Sequence, residues 1–326
     1  MKLLRNFLLL LSISFSIIAV AEEPKQTTPS AKMWLERLSH SLKILNFTTS
    51  FVVVKNNQAE PYHWFHGVDD NDKELEIFAR LNGPRRDILR KDSIISYIEP
   101  KLAPYSIESN TISGPIPSIF SGDITQLENS YDFISVGRSR VLGRSAQLIR
   151  IVSKDHHRFG YWLWLDQNTG LLLKFALITR KGQLLEQVQF THLDISNELS
   201  DSLKQLQSSD LPSVLDFPNT NQNNEFSWKV KWLPTGFKPI QSNRHRIALT
   251  KQPVEFMLFN DGLVDVSIYV NASADKQRSV EYVLDGATVL LNQVVDGFDI
   301  SVIGKIPFKT AKKIADSLQF TRTKKP

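Results

Sequence analysis

The 326-residue sequence predicts an α+β protein that is mostly β, with a large N-terminal domain and a small C-terminal α+β domain. Three observations carry this prediction. An amphipathic helix precedes a long series of strand-like runs, a three-strand segment near the middle is apolar on both faces, and a polar stretch rich in Asn and Pro follows it. The length is sufficient for two domains with ordinary hydrophobic cores.

Residues 1–21 have the pattern of a secretory signal peptide. Lys2 and Arg5 form a positive start, residues 7–18 are apolar, and residues 19–21 (Ala-Val-Ala) fit a small-x-small cleavage site. The apolar run is shorter than the ~20 residues that a membrane span needs. We therefore expect a cleaved signal at residues 1–21 and no integral membrane span, with an uncleaved N-terminal anchor as the alternative.

Composition excludes several classes of function. The chain has no cysteine, which excludes disulfides, thiol catalysis, cysteine-ligated metal and a lipid-modified N-terminal cysteine.

The C-terminal part of the chain is basic. Residues 225–326 hold 15 Lys and Arg against 10 Asp and Glu. This surplus favours an acidic partner or anionic lipid head groups, with an ordinary solvated surface and a basic tail as the alternative.

The first structured element is predicted to be a helix that lies on a sheet. Thr28 offers an N-cap and Pro29 a first helical residue. Its apolar stripe recurs at helical spacing, which favours packing in the core over a partner groove: Trp34, Leu35, Leu38, Leu42 and Leu45. Short β-branched runs then predict strands at 47–54, 75–81, 86–89, 93–98, 133–136 and 147–152.

Residues 159–193 predict a three-strand meander with turns at 166–170 and 180–182. Trp162 and Trp164 alternate with equally apolar neighbours, so both faces of the meander are apolar. A sheet with one wet face would show a cleaner alternation. We therefore predict a curved, partly closed antiparallel β-barrel with helices inserted, one of them near residues 117–127.

A polar break separates this domain from the last hundred residues. Leu199, Leu203 and Leu206 lie at helical spacing within residues 194–210, and a linker is predicted at 213–224, between domains of residues 22–212 and 225–321. In the second domain, residues 260–262 (Asn-Asp-Gly) predict a hairpin turn. Further strands are predicted at 282–284, 288–294 and 298–303, and a terminal helix carries Ala311, Ile314, Ala315 and Leu318.

No catalytic or metal site is predicted. The sequence has no Gly-rich phosphate loop and no GxGxxG, GxSxG or HExxH motif, so neither catalytic residues nor a cofactor are expected. His63 and His66 are three apart on a strand-like stretch and would point to opposite faces, which suits joint metal ligation poorly. His156 and His157 are expected in an exposed turn.

Two residue groups suit ligand recognition. The first is a set of arginines near glycine turns: Arg85, Arg86, Arg138, Arg140 and Arg144. Their guanidinium groups could hold phosphates or carboxylates of a ligand. The alternative is that they form internal ion pairs with Asp87, Asp92 or Asp132. The second is Trp228, Trp232 and Phe237, for which a place in a small core is favoured over an interface anchor.

Several segments carry a resemblance that covers nearly the whole chain after residue 21. They are, in chain order, residues 82–86 (NGPRR), 131–140 (YDFISVGRSR), 226–228 (FSW), 232–237 (WLPTGF), 260–263 (NDGL) and 310–315 (TAKKIA). In this order and spacing they resemble the RseB/MucB family, periplasmic negative regulators of the envelope-stress sigma factor sigma-E. The resemblance implies an N-terminal domain like that of the lipoprotein carriers LolA and LolB.

The same resemblance implies a regulatory binding protein of the periplasm and no enzyme. Its partner would be the periplasmic part of the anti-sigma factor RseA, which it would shield from the site-1 protease DegS. Lipopolysaccharide or a related lipid would release RseA, with relative domain orientation as the hypothesised switch. A homodimer is an alternative to a monomer, and no nucleic acid is expected. A lipid or lipoprotein carrier of the LolA/LolB type is the alternative function.

Site residues are nominated on this basis. The partner-binding candidates, in the C-terminal domain, are Arg244, Arg246, Tyr269 and Arg278. The lipid-binding candidates are one face of the meander and the first strand, with arginines near the mouth of a hollow: Phe51, Val53, Leu163, Leu165, Leu173, Phe175, Leu177, Arg85, Arg86, Arg138 and Arg140.

Overall fold

The computed structural model describes residues 29–215, 226–246, 253–273 and 280–320. Residues 29–215 form an N-terminal unit around an 11-stranded antiparallel sheet, and the described residues from 226 to 320 form a C-terminal unit with a six-stranded antiparallel sheet. The mostly β, α+β prediction with a small second unit is confirmed. Within these ranges, no helix is long and apolar enough to cross a bilayer.

The N-terminal unit consists of helix α1 (Ala31–Ile44), eleven strands and helix α2 (Asp201–Ser208). The strands are β1 (Asn46–Lys55), β2 (Gln58–Val68), β3 (Glu74–Arg80), β4 (Asp87–Lys91), β5 (Ile94–Ile98), β6 (Tyr105–Glu108), β7 (Tyr131–Val141), β8 (Arg144–Ser153), β9 (Gly160–Asp166), β10 (Leu172–Ile178) and β11 (Leu184–Ser196). Their order is β6-β5-β4-β3-β2-β1-β11-β10-β9-β8-β7. The helix predicted near 117–127 is present as two 3₁₀ segments, Ser118–Ser121 and Ile124–Leu127.

Helix α1 begins two residues later than predicted. Its N-cap is Ser30, whose Oγ accepts a hydrogen bond from the backbone N–H of Met33 at 3.2 Å, so the cap assigned to Thr28 and Pro29 is wrong. The apolar stripe is buried as predicted, with Leu35 and Leu38 fully covered. Because Ser41 donates to the carbonyl of Thr169 at 2.5 Å, the helix also fixes the turn between β9 and β10.

The large sheet is open, so the predicted partial barrel is wrong in this respect. Closure would require β6 to pair with β7, but these strands are the two edges of the sheet. The chain itself occupies the β6 edge: the N–H of Ser106 donates to the carbonyl of Ser213 at 3.0 Å, and the N–H of Leu215 donates to the carbonyl of Ser106 at 2.8 Å. Residues 213–215, at the start of the predicted linker, thus line β6, whereas residues 216–224 lie outside the described residues.

Helices cover both faces of the sheet in part. The inner face, which carries Phe51, Leu163 and Phe175, shares one hydrophobic cluster with α1 and the 3₁₀ segments. The outer face is covered at β3 by α2, whose Leu203 and Leu206 cluster with Leu75. These leucines confirm the helical spacing seen in the sequence. The turns predicted at 166–170 and 180–182 join β9 to β10 and β10 to β11.

The C-terminal unit has a sheet of order β13-β14-β15-β18-β17-β16, a two-stranded sheet of β12 with β19, and helix α3. The elements are β12 (Trp228–Val230), β13 (Lys238–Arg246), β14 (Pro253–Asn260), β15 (Asp265–Ala272), β16 (Val280–Asp285), β17 (Thr288–Val295), β18 (Phe298–Gly304), α3 (Phe308–Asp316) and β19 (Leu318–Phe320). The predicted hairpin is β14–β15, and the core assignment of Trp228 and Phe237 is confirmed by their burial.

Candidate functional site

A cavity of about 690 Å³ lies against the inner face of the large sheet. Its walls are largely apolar and aromatic, from β1 to β5, β10 and β11: Val53, Tyr62, Phe78, Ile88, Tyr97, Ile98, Phe175 and Val188. The loop of Ser113, Gly114 and Pro115 completes the wall. A concave, mainly apolar hollow of this size is typical of a small-molecule or lipid site.

Paired charges line the mouth of this cavity. Glu60 accepts hydrogen bonds from Arg80 at 2.9 Å and from the Tyr62 hydroxyl at 3.0 Å. Burial and this hydrogen bond to Glu60 raise the pKa of Tyr62 to about 12, so the phenol stays protonated. Glu186 lies 2.5 Å from Lys305, which the C-terminal unit contributes. Charge at the mouth is therefore mixed and not purely basic.

A second hollow, a groove of about 380 Å³, continues the cavity to the junction of the two units. Both hollows are lined by Gly114, Phe175, Glu186 and Lys305. From the C-terminal unit the groove also takes residues of the β14–β15 hairpin and of β17 and β18: Asn260, Gly262, Leu263, Val264, Asp265, Ser267, Thr288, Ile303 and Gly304. A ligand in the cavity would therefore be close to the surface between the units.

A buried ionic network holds the two units together beside this groove. Asp261 of the C-terminal unit accepts hydrogen bonds from Arg158 Nε at 2.5 Å and from the Tyr131 hydroxyl at 2.8 Å. The side chains of Asp261 and Arg158 are both 0% exposed. Burial raises the pKa of Tyr131 well above its ordinary value, which keeps the hydroxyl protonated and able to donate. A charge pair this deep restricts how the units can be oriented, because separating it would leave uncompensated charges.

The turn that precedes β13 completes the network. Arg158 donates to Asp155 at 2.6 Å and also to the carbonyl of Thr235, to which Ser130 donates at 3.0 Å. Gly236 follows with a φ of +93°, and a Cβ at this position would overlap the Ser130 hydroxyl. Glycine is therefore required here both by the backbone conformation and by the close approach of the N-terminal unit.

His157 forms a further contact between the units, so its predicted place in an exposed turn is wrong. Its ring meets Trp232 edge-on with 4.7 Å between centroids, and Lys313 lies 3.8 Å from the centroid of the same indole. Burial lowers the pKa of His157, and the nearby charges of Lys313 and Arg158 lower it further, although Asp155 opposes this. The imidazole is therefore held in its neutral form.

Acidification should weaken this contact. Because the pKa of His157 is depressed in the folded protein, the stability it contributes is present above the ordinary histidine pKa of about 6.5 and is lost as the pH falls through the folded value. Urea unfolding at about pH 7.5 and about pH 5.5 measures this loss. We expect a smaller loss in His157→Phe than in the wild type. If the wild type and His157→Phe lost the same stability on acidification, the assignment to His157 would be contradicted. The loss would then come from a group present in both proteins, such as His63, whose pKa is also lowered by burial.

The nominated lipid-binding residues fall into three groups. Val53 and Phe175 line the cavity, Leu177 lines the groove, and Arg86 lies at the cavity mouth. Fully buried core positions that line neither hollow are Phe51, Leu163, Leu165 and Leu173. The remaining arginines also lie away from both hollows: Arg85 is 71% exposed and paired with Asp87 at 2.6 Å, and Arg138 and Arg140 are exposed on the edge strand β7.

The nominated partner-binding residues do not form one surface. Arg244 on β13 pairs with Glu255 on β14, with Nε at 3.0 Å from the carboxylate. Tyr269 packs on Phe256, the next residue along β14, with centroids 4.9 Å apart. Because successive residues of a strand face opposite sides, Arg244 and Tyr269 lie on opposite faces of the sheet. Arg246 is exposed at the end of β13, and Arg278 lies outside the described residues.

Sequence reasoning missed the residues that connect the two units. Arg158 and Asp261 are 103 positions apart, and Glu186 and Lys305 are 119 apart, so no local pattern joins them. The described part of the chain holds no cluster of three or more His, Asp or Glu side chains placed to bind a metal ion.

Comparison with known proteins identifies the family of the chain. The MucB/RseB N-terminal domain matches residues 30–215 and the MucB/RseB C-terminal domain matches residues 222–319. The sigma-E factor regulatory protein RseB of Salmonella typhimurium is 32% identical over 310 residues, with 95% of each chain covered. The sigma factor AlgU regulatory protein MucB of Pseudomonas aeruginosa is 30% identical, with 95% of this chain and 96% of that protein covered.

Solved structures agree with this assignment. A complex of Pseudomonas aeruginosa MucA and MucB contains a chain that is 29% identical to this one, with a TM-score of 0.73 over 89% of this chain and 98% of that one. A crystal structure of MucB bound to MucA(peri) gives a TM-score of 0.71 at 30% identity and the same coverage. By both domain matches, and by identity over nearly its whole length, the chain belongs to the MucB/RseB family.

Proposed function

We propose that this protein is a periplasmic negative regulator that binds the periplasmic region of an anti-sigma factor of the RseA/MucA type and thereby restrains the sigma-E envelope stress response. The observation that carries the proposal is the likeness to a MucB chain in complex with MucA, which extends over both units of the structure. In this function residues 1–21 act as a cleaved signal peptide, and the two domains span residues 22–212 and 225–321.

Binding is proposed to act by occupancy. A partner segment held across the C-terminal unit would keep the site-1 protease DegS from its cleavage site without any bond-making by this protein. Two surfaces suit such a segment: the half-exposed aromatic pair of Phe256 with Tyr269, and the basic end of β13 at Arg244 and Arg246. Aromatic side chains and arginines often dominate binding energy at protein interfaces.

The cavity is proposed to receive the acyl part of lipopolysaccharide or a related lipid, with Arg86 near its mouth available to phosphates. A lipid can release the partner only to the extent that it prefers the partner-free conformation. The groove connects the cavity with the surface between the two units, because Phe175, Glu186 and Lys305 line both hollows. A lipid in the cavity would therefore lie close to both units. Lipid occupancy would then bias the orientation of the two units.

Partner binding is tested by calorimetric titration with the periplasmic segment of the cognate anti-sigma factor. We expect saturable binding, and a loss of about tenfold, or ~1.4 kcal/mol, in Arg244→Ala with Arg246→Ala. The matched control is Lys204→Ala with Lys312→Ala, which removes two exposed cations from α2 and α3. An unchanged affinity in the arginine variant would show that Arg244 and Arg246 are not part of the partner-binding site. If the wild type did not bind the segment, the regulatory function would be refuted.

Filling the cavity should weaken lipid binding. Ile88 lines the cavity and is only half-buried, so Ile88→Trp places an indole in the hollow with little disturbance of the core. We expect the affinity for a fluorescent acyl probe to fall at least about tenfold. Leu102→Trp, at an exposed position outside the cavity, is the control and should bind the probe as the wild type does. Equal probe affinity in both variants would exclude this cavity as the lipid site.

A lipid or lipoprotein carrier is the second candidate function, and the volume of the cavity favours it. The buried pair of Arg158 and Asp261 argues against a simple carrier, because a shuttle needs no second unit fixed beside its cavity. The titration with the anti-sigma segment separates the two functions, since a carrier would bind lipid but not the segment.

A further inference from the structure

The edge strand β7 is long and unusually exposed for a strand of the large sheet. Residues 134–140 are all exposed, and Ile134 and Val136 have 42% and 51% of their surface accessible. An edge strand presents N–H and C=O groups that can pair with another chain, although the Gly137 carbonyl already accepts a hydrogen bond from the Gln147 side chain at 3.0 Å. In the described part of the chain, no backbone segment pairs with residues 134–140 on the side away from β8.

Two other sheet edges of the molecule, β6 and β13, are less available. Residues 213–215 cover β6, as described above. The edge strand β13 of the C-terminal unit contains Pro239, which cannot donate a backbone hydrogen bond, and its Arg244 is bonded to Glu255. Strand β7 is therefore more accessible to an added strand than β6 or β13.

Charge on β7 defines the kind of segment that it fits. Arg138 and Arg140 are two residues apart, so both side chains lie on the same face, about 6.6 Å from each other along the strand. Neither guanidinium forms an ion pair with any described residue. A strand paired with β7 would match them with Asp or Glu at alternate positions, because opposite charges placed across a strand pair stabilise it.

Self-pairing of β7 is disfavoured by the same charges. Two copies paired antiparallel through residues 137–141 would bring Arg138 and Arg140 of both chains together, which like-charge repulsion opposes. A bulge at Val136, next to Gly137 with a φ of +141°, shifts the register with β8 and bends the strand. The bulge therefore limits the uninterrupted edge to short stretches that suit a peptide better than a second sheet.

We propose that β7 is a second protein-binding site, which takes an extended acidic segment of a partner protein as an additional strand of the large sheet. Main-chain hydrogen bonds would supply affinity and the pairing of carboxylates with Arg138 and Arg140 would supply specificity, as in other cases of strand addition. None of residues 134–140 lines the cavity or the groove, so the site is independent of the lipid and anti-sigma sites proposed above.

The test uses the full chain and a fluorescein-labelled extended peptide of about nine residues, with alternating valine and threonine and two glutamates two positions apart. We expect saturable binding by fluorescence anisotropy, and at least about a tenfold loss of affinity in Arg138→Glu with Arg140→Glu. Lys204→Glu with Lys312→Glu makes the same change in net charge on exposed helix positions and should leave the affinity unchanged.

Two further arms examine the binding mode without relying on a variant. The same peptide N-methylated at alternate amides keeps its charge but cannot form the ladder, and it should not bind. Hydrogen exchange should show new protection at residues 134–140 when the unmodified peptide is bound. Absence of binding by the unmodified peptide, equal binding by the N-methylated one, equal loss in both charge variants, or protection elsewhere would each overturn the proposal.

Discussion

Replacing Asp261 with alanine should lower the free energy of unfolding by about 3–5 kcal/mol, the cost of breaking a buried ion pair by removing one partner. The carboxylate accepts hydrogen bonds from Arg158 and Tyr131 of the N-terminal unit and from the backbone N–H groups of Leu263 and Val264 in its own hairpin. Alanine would leave these donors without their acceptor. The charge of Arg158, which is completely buried, would keep only Asp155 as its ionic partner.

Urea unfolding followed by fluorescence and circular dichroism measures this loss. Glu198→Ala removes one partner of the exposed Lys204 pair and should cost less than about 1 kcal/mol, which makes it the matched control. Replacing both Arg158 and Asp261 with apolar residues of similar volume should recover part of the lost stability, because no charge is then left buried. A loss below about 1 kcal/mol in Asp261→Ala would contradict the role of this pair in fixing the two units.

Replacing Phe51 with alanine should cost about 3–5 kcal/mol, as for other fully buried phenylalanines. Its ring lies among three aromatic neighbours, with centroids 5.4 Å from Tyr62, 5.7 Å from Phe78 and 5.6 Å from Phe190. Phe51 has no exposed surface and does not line the cavity, but Tyr62 and Phe78 do. The substitution should therefore destabilise the N-terminal unit and also loosen one wall of the cavity.

The free energy of unfolding and the affinity for the acyl probe separate these two effects. Ile240→Ala truncates an exposed apolar residue and should stay within about 0.5 kcal/mol of the wild type. If Phe51→Ala were as stable as Ile240→Ala, the aromatic cluster would not be the packing centre that its geometry indicates.

Local patterns in the sequence predicted much of the fold. The meander of β9, β10 and β11 was predicted from alternation and turn residues that lie within a few positions of each other. Strands β6, β12, β13 and β19 were not predicted, since β13 is mostly polar and the other three have only three or four residues. Leu318, which was assigned to the terminal helix, begins β19, because α3 ends at Asp316. The sequence carries little of the apolar signal that identifies a strand at these places.

The barrel prediction failed because apolar residues on both faces were interpreted as closure. On the outer face, Trp162 and Trp164 are instead half-buried beneath cations: the Arg150 guanidinium lies 5.5 Å from the Trp162 ring, and Lys174 Nζ lies 4.8 Å from the Trp164 ring. Long basic side chains can cover aromatic surface while their charge stays in water. An open sheet can therefore carry apolar residues on the part of a face that no helix covers.

The candidate site was less predictable than the fold. Phe51 and Val53 lie on the same face of β1, but only Val53 reaches the cavity, because the neighbouring aromatic rings enclose Phe51. Alternation assigns a residue to a face, whereas its exposure to a cavity depends on neighbours from distant strands. The same limit applies to Arg244, whose partner Glu255 is fixed by the register of β13 with β14.

Protease protection tests the regulatory account most directly. The periplasmic region of the cognate anti-sigma factor would be incubated with DegS and this protein, with and without lipopolysaccharide. We expect the wild type to prevent site-1 cleavage and the lipid to restore it, whereas Ile88→Trp should protect in both conditions. Cleavage at the same rate with and without this protein would contradict the account.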